Sequence, residues 1–345
     1  MRKPRSFFLG EAGQANVYHV VTRTAARELL FGDREREAFR GILFRQLRFS
    51  GLRLLAWCLM GNHVHLLLEV PDREAALEGL SEEDVLGRLG ALKGEYSTRV
   101  LLGQAKLYQE NGHAEGVSEI AARVRARLFD LSAFMKELKM KMTGAFNAMH
   151  GRRGTLWEGR FKCVLVEGGE ALRATAAYID LNPVRAGLVE NPEDYRWCSY
   201  AAAVAGVRGA RSGLARAVSG AAGAPWRAVS GEYRKLLFGY GLEKPGGATP
   251  EGREKRKAGF SAEQIERAWR EGGKLPLAAA LRCRVRYFTD GAVLGGEAFV
   301  DAFFERQRQH FGPRRESGAR RMRGADWGAI RALRDLRLEP VAPPG

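Results

Sequence analysis

The chain has 345 residues and carries 56 Lys and Arg against 40 Asp and Glu, a formal net charge of +16. Its hydrophobic content of 45% and charged content of 28% are those of an ordinary globular protein and argue against extensive disorder. The apolar runs are too short to cross a bilayer, and the basic N-terminus lacks the apolar segment of a signal peptide. The four cysteines form no CxxC pair, which argues against a zinc knuckle or a disulfide framework and favours a reducing cytoplasm. The basic excess favours a polyanionic partner, nucleic acid first, although a generally arginine-rich proteome would produce the same charge.

The N-terminal part of the chain shows strand and helix signals in turn. β-Branched and aromatic residues over 16–24 predict a strand, and Asp33 is expected to cap a helix that runs to about residue 48. Two more strands are predicted over 52–60 and 63–70, with a turn at Gly61 and Asn62 between them. The second of these is almost entirely apolar, which is typical of a central strand.

The middle of the chain is predicted to be mainly helical. Residues 72–150 are rich in helix-forming residues, and their last helix, over 131–149, precedes a basic turn. A fourth strand is predicted over 160–167, and a helix follows from about residue 169 to residue 179 or 181. Asn182 and Pro183 then predict the end of that helix or a kink in it.

The composition changes beyond Gly206, where Gly, Ala and Ser dominate to about Gly223 and predict a loose linker. A capping-box pattern at 261–264 predicts a helical module that reaches to about residue 310, followed by an arginine-rich tail. The expected organisation is a main domain over 1–205 with a helical insertion at about 72–150, a linker over 206–260, and a mainly helical, basic C-terminal extension over 261–345.

Two histidines on the third predicted strand are the first candidates for chemistry. Alternate residues of a strand share a face, so His63 and His65 point the same way. Paired imidazoles suit a divalent metal ion, and two hydrogen-bonded core histidines are the structural alternative. His19, on the first strand, could neighbour the pair in a packing or supporting role.

Tyr178 and Asn182 are the second pair of candidates. If both residues are helical, their i, i+4 spacing places them on one face. A phenol, with a pKa of about 10, is a weak nucleophile that becomes useful when a metal ion polarises its electrophile. The alternatives are a packed aromatic ring for the tyrosine and a cap or turn residue for the asparagine.

Four segments, in this order, resemble a known family. They are NHVHLLLEV at 62–70, GRRGTLWEGRFKCVLVE at 151–167, YIDLNPVRAGLV at 178–189 and DYRWCSY at 194–200. Together they resemble the single-tyrosine HUH transposases of the small insertion-sequence type, and among these the REP-associated tyrosine transposases. The resemblance covers roughly residues 14 to 205.

The resemblance implies an α+β protein with a ferredoxin-like antiparallel sheet and helices packed on it, the HUH endonuclease fold. The predicted order of strands and helices agrees with this fold. Tyr178 matches the nucleophile of the family, and His63 and His65 match its metal-binding pair. Asn182 falls where relatives carry a third polar ligand, often Gln. The implied metal ion is Mg²⁺ or Mn²⁺.

The implied reaction cuts and rejoins single-stranded DNA near a hairpin. The tyrosine oxygen attacks the scissile phosphate, a 5′-phosphotyrosine bond forms and a 3′-hydroxyl leaves; another 3′-hydroxyl can reverse the step. Basic residues near the motifs are expected to contact the DNA, and the arginine-rich extension could add contacts within 253–323. The candidate contact residues are Arg152, Arg153, Arg160, Lys162 and Arg185.

Two other functions remain open at this point. A non-catalytic DNA-binding regulator with the same fold would have no need of His63, His65 and Tyr178 together. A replication initiator or relaxase usually carries a third histidine in a separate histidine-rich motif, which this sequence does not show. The expected location is the cytoplasm, at the nucleoid, with no membrane association. A monomer and a homodimer both remain open.

Overall fold

The protein is described from a computed structural model, which covers residues 13–112, 114–221, 223–238, 276–283 and 285–334. The described residues divide into two compact units. The first unit holds the residues up to Leu54 together with Leu59–Lys162. The second unit holds Leu55–Cys58 and the residues from Cys163 onward. No helix among the described residues is long and apolar enough to cross a membrane.

Three strands and seven α-helices precede residue 150 in the described part of the chain. Their bounds are β1 Asn16–Arg23, α1 Asp33–Ser50, β2 Arg53–Leu59, β3 His63–Val70, α2 Arg73–Glu78, α3 Glu82–Gly87, α4 Gly90–Lys93, α5 Glu95–Glu110, α6 Ala114–Arg125 and α7 Leu131–Met149. The predicted strands and the predicted helical insertion are therefore present, with ends that shift by one or two residues.

β1 and β3 form the antiparallel pair on which the histidines lie. The register places Val21 opposite His65 and Arg23 opposite His63. Val and Leu side chains fill both strands, and the interior positions of each are buried, because this pair lies inside the first unit. The turn before β3 is closed by a hydrogen bond from the Met60 amide to the His63 carbonyl, 2.9 Å long.

The cap of α1 differs from the prediction. The helix begins at Asp33, but Gly32 occupies the N-cap position, and the side chain of Glu35 accepts a hydrogen bond of 2.8 Å from the Gly32 amide. A carboxylate in the first helical turn thus satisfies one of the open backbone donors. The helix ends at Gly51, whose φ of 77° is left-handed, and a Cβ there would collide with the ring of Phe129.

The helical insertion has an apolar core of its own. Val85 and Leu86 of α3 pack with Val117 of α6 and with Phe49 at the end of α1. Gly87 ends α3 and Gly90 begins α4, whereas Gly112 lies between α5 and α6. Burial of these apolar side chains stabilises helices that are too short to form in isolation.

The second unit combines a small mixed sheet with helices. Its elements are β4 Lys162–Val166, α8 Glu170–Asp180, α9 Asn182–Arg185, α10 Ser199–Val204, α11 Arg208–Ser219, α12 Trp226–Phe238, α13 Leu277–Leu281, α14 Tyr287–Asp290, β5 Val293–Gly295, α15 Glu297–Arg306, β6 Arg320–Arg321 and β7 Arg331–Leu333. Its strands lie in the order β4-β5-β7-β6. β4 and β5 are parallel, whereas β5 with β7 and β7 with β6 are antiparallel. The predicted α+β class, a sheet with helices packed on it, is confirmed.

The predicted linker over 206–260 differs from the structure over its first half. Residues 208–219 form α11 and residues 226–238 form α12, and both helices pack against α8. The abundance of Gly and Ala led to the prediction of a linker, but alanine is the best helix former. Ala210, Leu214, Ala217 and Val218 make one buried face at helical spacing.

The described part of the predicted extension over 261–345 contains helices, as expected, and it also contributes three short strands to the sheet. β5 pairs with β4, which lies more than 120 residues earlier in the chain, in the register Leu165 to Val293 and Val166 to Leu294. A parallel pair between distant segments leaves no local signal in a sequence. The capping-box residues 261–264 lie outside the described residues, as does the start of the region 253–323 in which further DNA contacts are expected.

Candidate functional site

Three histidines cluster on one face of the β1–β3 pair. His63 and His65 are adjacent on that face of β3, with ring centroids 5.0 Å apart. The ring of His19, on β1, stacks on that of His65 at the same centroid distance. His19 and His65 are both buried, while His63 is partly exposed. The predicted pair is therefore present, with His19 directly beside it.

The hydrogen bonds of Asn62 determine which nitrogen of His63 carries the proton. The Asn62 Nδ2 donates to the carbonyl of Arg27 at 2.8 Å, so the Oδ1 of the same amide faces His63. That oxygen lies 2.7 Å from Nδ1 of His63 and can only accept a hydrogen bond. Nδ1 therefore carries the proton in the neutral ring, and the lone pair suited to a metal ion is on Nε2.

His65 is oriented in a similar way by His19. Nε2 of His19 lies 2.8 Å from Nδ1 of His65, so one imidazole donates to the other. When Nδ1 of His65 is the donor, the lone pair of its ring is also on Nε2. Each histidine of the pair thus has a neighbour at Nδ1, which is the arrangement that second-shell partners give to metal-binding histidines.

The histidine pair fits a metal site that is open to further oxygen ligands. Among the described residues, no group of three or more His, Cys, Asp and Glu side chains is placed to bind a metal ion. His63 and His65 could supply two nitrogens to a metal ion, leaving positions for oxygens such as those of amides, phosphates or water.

Tyr178 lies in the second unit, on α8, and only 4% of it is exposed. Its ring stacks on Phe288 of α14, with centroids 4.5 Å apart and planes 16° from parallel. The guanidinium carbon of Arg185 lies 3.8 Å from the same centroid. The ring is thus held by a residue from α9 and by one from the C-terminal part of the chain.

Arg185 is partly exposed and makes two hydrogen bonds within the protein. Its Nη2 donates to the carbonyl of Tyr178 at 2.7 Å, and its Nη1 donates to the carbonyl of Leu281 at 2.9 Å. Burial lowers the pKa of the guanidinium, although nearby groups, including Tyr178, oppose that shift. Each of these nitrogens carries a second N–H group, so the expectation that Arg185 contacts DNA phosphates stays a prediction.

A buried hydrogen-bond network holds the end of the tyrosine helix. Oδ1 of Asp180 accepts from the Ser199 hydroxyl at 2.7 Å and from the Tyr200 amide at 2.9 Å. Its Oδ2 accepts from the Tyr233 hydroxyl at 2.6 Å. Burial raises the pKa of Asp180 to about 6, and the hydrogen bonds from Ser199 and Tyr233 oppose that rise. One carboxylate therefore ties α8 to α10 and α12.

The network extends to β2. The Ser199 hydroxyl accepts a hydrogen bond of 3.0 Å from the Trp57 amide, and it also lies 3.3 Å from the Trp57 carbonyl. Next to this contact the backbones of Cys58 and Cys198 form an isolated antiparallel β-bridge, and both thiols are free. The segment that resembled the family as DYRWCSY thus anchors α8 through Asp180.

Asn182 is buried and begins α9, separated from the end of α8 by Leu181. Tyr178 lies on α8, so the two residues belong to successive helices rather than to one continuous helix. Both residues belong to the second unit, whereas His63 and His65 belong to the first. The four other candidate DNA contacts are exposed side chains at the end of the first unit: Arg152, Arg153, Arg160 and Lys162.

The segment that contains the three histidines can be compared with known families. Residues 14–79 match the family model of IS200-like transposases. This match confirms the predicted resemblance over β1, α1, β2 and β3. It includes His19, Asn62, His63 and His65, and it ends before Tyr178.

Comparison with solved structures finds three matching chains. One is described as the structure of the REP-associated tyrosine transposase bound to a REP hairpin. It has 16% sequence identity and a TM-score of 0.36, over 60% of this chain and 87% of that chain. No curated protein matches this chain.

The sequence reasoning missed several residues of the site. Asp180 had a detectable signal, since it is a carboxylate inside an otherwise apolar helix, and such a residue needs buried donors. Asn62 precedes the histidine pair directly, but its role depends on the amide orientation. Tyr233 and Phe288 had no local signal, because their contacts with Asp180 and Tyr178 arise only from tertiary packing.

Proposed function

We propose that the protein is a metal-dependent transposase that cuts single-stranded DNA near a hairpin and rejoins it through a phosphotyrosine at Tyr178. The observation that carries this proposal is the histidine cluster, which lies inside the segment that matches IS200-like transposases. His63 and His65 present their rings side by side, and each has a hydrogen-bond partner at Nδ1. The charge of +16 suits a nucleic-acid substrate.

The ion would be Mg²⁺ or Mn²⁺, held by His63 and His65, with Asn182 as the proposed third ligand. When bound, such an ion neutralises negative charge on the phosphate and so supplies Lewis-acid assistance. His19 and Asn62 would keep the two rings oriented, because rotation of either imidazole would cost a hydrogen bond.

In the proposed reaction, Oη of Tyr178 attacks the phosphorus of the scissile diester. The new P–O bond to tyrosine forms as the P–O3′ bond breaks, the phenol gives up its proton, and the departing 3′ oxygen takes one up. The phosphodiester is conserved in the intermediate, so a second 3′-hydroxyl can regenerate DNA without an external energy source. Exclusion of water by the buried surroundings of the tyrosine would protect the intermediate from hydrolysis.

The exposed basic residues of the first unit are the proposed DNA contacts. Each can bind a phosphate, and together they would make the affinity dependent on salt. They are Arg152, Arg153, Arg160 and Lys162. A reaction on chromosomal DNA of this kind would take place in the cytoplasm, at the nucleoid.

The test uses the full chain, a labelled single-stranded hairpin oligonucleotide and MnCl₂, with denaturing gels to detect a covalent adduct. Wild type should form an adduct and Tyr178→Phe should form none. His63→Ala and His65→Ala should lose the adduct while still binding the hairpin. Tyr195→Phe, at a buried tyrosine of the same unit, is the matched control and should keep the adduct. An adduct that persists in Tyr178→Phe would exclude Tyr178 as the nucleophile.

A non-catalytic DNA-binding regulator is the second candidate. The observation that favours it is the small exposure of Tyr178, only 4%, under Phe288 and Arg185. Such a protein would bind the hairpin with the same salt dependence but form no adduct with Mg²⁺ or Mn²⁺. The gel assay therefore separates the two candidates directly.

A further inference from the structure

We propose that Phe288 and Arg185 are positioning residues for Tyr178, so that the C-terminal part of the chain completes the site of the reaction. This inference rests on the proposed function, since it assumes that Tyr178 is the nucleophile. It assigns a role to a segment that the sequence presents only as a basic extension.

The first observation is the stacking on the tyrosine ring. Phe288 is fully buried, and its ring lies nearly parallel to that of Tyr178 at 4.5 Å. Trp327 supports Phe288 in turn, with ring centroids 6.0 Å apart. Aromatic pairs at these distances contribute about 1 kcal/mol beyond their buried area and have preferred orientations. Phe288 therefore restricts the orientation of the tyrosine ring.

The second observation is the position of Arg185. Its guanidinium touches the tyrosine ring, donates to the backbone of Tyr178 and donates to the carbonyl of Leu281. One planar group thus connects the ring, the helix that carries it and α13 of the C-terminal part. Lysine has no planar fork and could not make these contacts together.

The third observation is that the segment around Phe288 is built into the second unit. β5 begins five residues after Phe288 and pairs with β4, and the Glu167 amide donates to the carbonyl of Leu294 at 2.9 Å. α13 packs directly against α8. Because the segment is anchored on both sides of Phe288, the stacked ring has little freedom to move away from Tyr178.

Orientation matters strongly for this chemistry. In-line attack requires the phenol oxygen close to phosphorus and aligned with the departing 3′ oxygen, and a misplacement of about 1 Å can cost about 100-fold in rate. A side chain that fixes the ring therefore changes the rate of the chemical step and leaves DNA affinity unchanged. If Phe288 instead blocked the access of DNA to Tyr178, a smaller side chain at position 288 would raise the rate of adduct formation.

The experiment compares Phe288→Leu with Phe303→Leu in the full-length protein. Both phenylalanines are fully buried in the same unit, but only Phe288 stacks on Tyr178. The measurements are the single-turnover rate of adduct formation at saturating hairpin DNA with Mn²⁺, the Kd for the hairpin and the thermal midpoint. Phe288→Leu should slow adduct formation about 10- to 100-fold, with the Kd within about twofold of wild type. Phe303→Leu should lower the thermal midpoint about as much as Phe288→Leu does, and it should form the adduct at the wild-type rate.

A second variant and a spectroscopic measurement keep the test independent of folding. Arg185→Lys should slow adduct formation at unchanged Kd. The flip rate of the Tyr178 ring, measured by NMR with labelled tyrosine, should rise in Phe288→Leu and not in Phe303→Leu. Equal adduct rates in the two leucine variants, or a faster rate in Phe288→Leu, would overturn the inference. If Tyr178→Phe retains the adduct, the proposed function fails instead, so the two failures are distinguishable.

Discussion

The buried carboxylate of Asp180 provides the sharpest stability prediction. Asp180→Ala removes an acceptor that receives hydrogen bonds from Ser199, Tyr200 and Tyr233. Each donor left unsatisfied in the interior costs about 1–3 kcal/mol. Partial relaxation and the relief of burying a charge reduce the total, so we expect a loss of about 4 kcal/mol. The measurement is chemical unfolding followed by tryptophan fluorescence, with Trp57 and Trp197 as reporters in the second unit.

Two companion variants separate hydrogen bonding from charge. Asp180→Asn keeps an oxygen for Ser199 and the Tyr200 amide, and its NH₂ can donate to the Tyr233 hydroxyl, which then accepts. We expect this variant to lie within about 1 kcal/mol of wild type. Tyr233→Phe removes one donor only and should cost about 2 kcal/mol, as for hydrogen bonds to charged groups. The reasoning is refuted if Asp180→Ala unfolds within about 1 kcal/mol of wild type, or if Asp180→Asn is as unstable as Asp180→Ala.

The remaining predictions concern the first unit. His19→Ala should weaken Mn²⁺ binding by about 10- to 100-fold, measured by calorimetry, because His65 loses the partner of its Nδ1; equal affinity would contradict this role. Burial alone would raise the pKa of Glu137, but hydrogen bonds from Arg127 and Gln46 lower this pKa overall. The ionised carboxylate therefore stabilises the fold at pH values above its ordinary pKa of 4.5. Stability should therefore fall as the pH drops below that value, and Glu137→Gln should flatten this part of the curve in unfolding experiments at pH 3 to 6; the same slope in both proteins would count against it. Alanine at four exposed basic positions should reduce the slope of log K against log salt for single-stranded DNA by up to about 3, and an unchanged slope would remove these residues from the interface. They are Arg152, Arg153, Arg160 and Lys162.

Periodicity and turn chemistry predicted the first half of the fold well. β1, β3 and α7 begin at the predicted residues, because runs of apolar and β-branched residues mark the strands and helical spacing marks α7. Side chains also alternate between the two faces of a strand. The pairing of His63 and His65 followed from the same alternation. The role of Glu35 as the helix cap was missed, because Asp33 at the helix start is an equally good signal of capping.

The second half was harder to predict because its structure depends on distant contacts. β5 has only three residues and pairs with a strand more than 120 residues away, so no local pattern reveals it. α11 was interpreted as linker because Gly and Ala lower the apparent hydrophobicity, yet small residues are what let it pack closely on α8. Arg185 was assigned to DNA by its charge, and its hydrogen bonds to the carbonyls of Tyr178 and Leu281 arise from tertiary packing that leaves no local signal in the sequence.

The central claim is that Tyr178 forms a covalent bond with DNA. The most direct measurement is mass spectrometry of the adduct formed with a single-stranded hairpin and Mn²⁺, after nuclease and protease digestion. We predict a nucleotide mass on the peptide that contains Tyr178, linked through a 5′ phosphate. A nucleotide on a peptide that contains Tyr195 or Tyr200 instead, or no modified peptide from wild type under these conditions, would contradict the account.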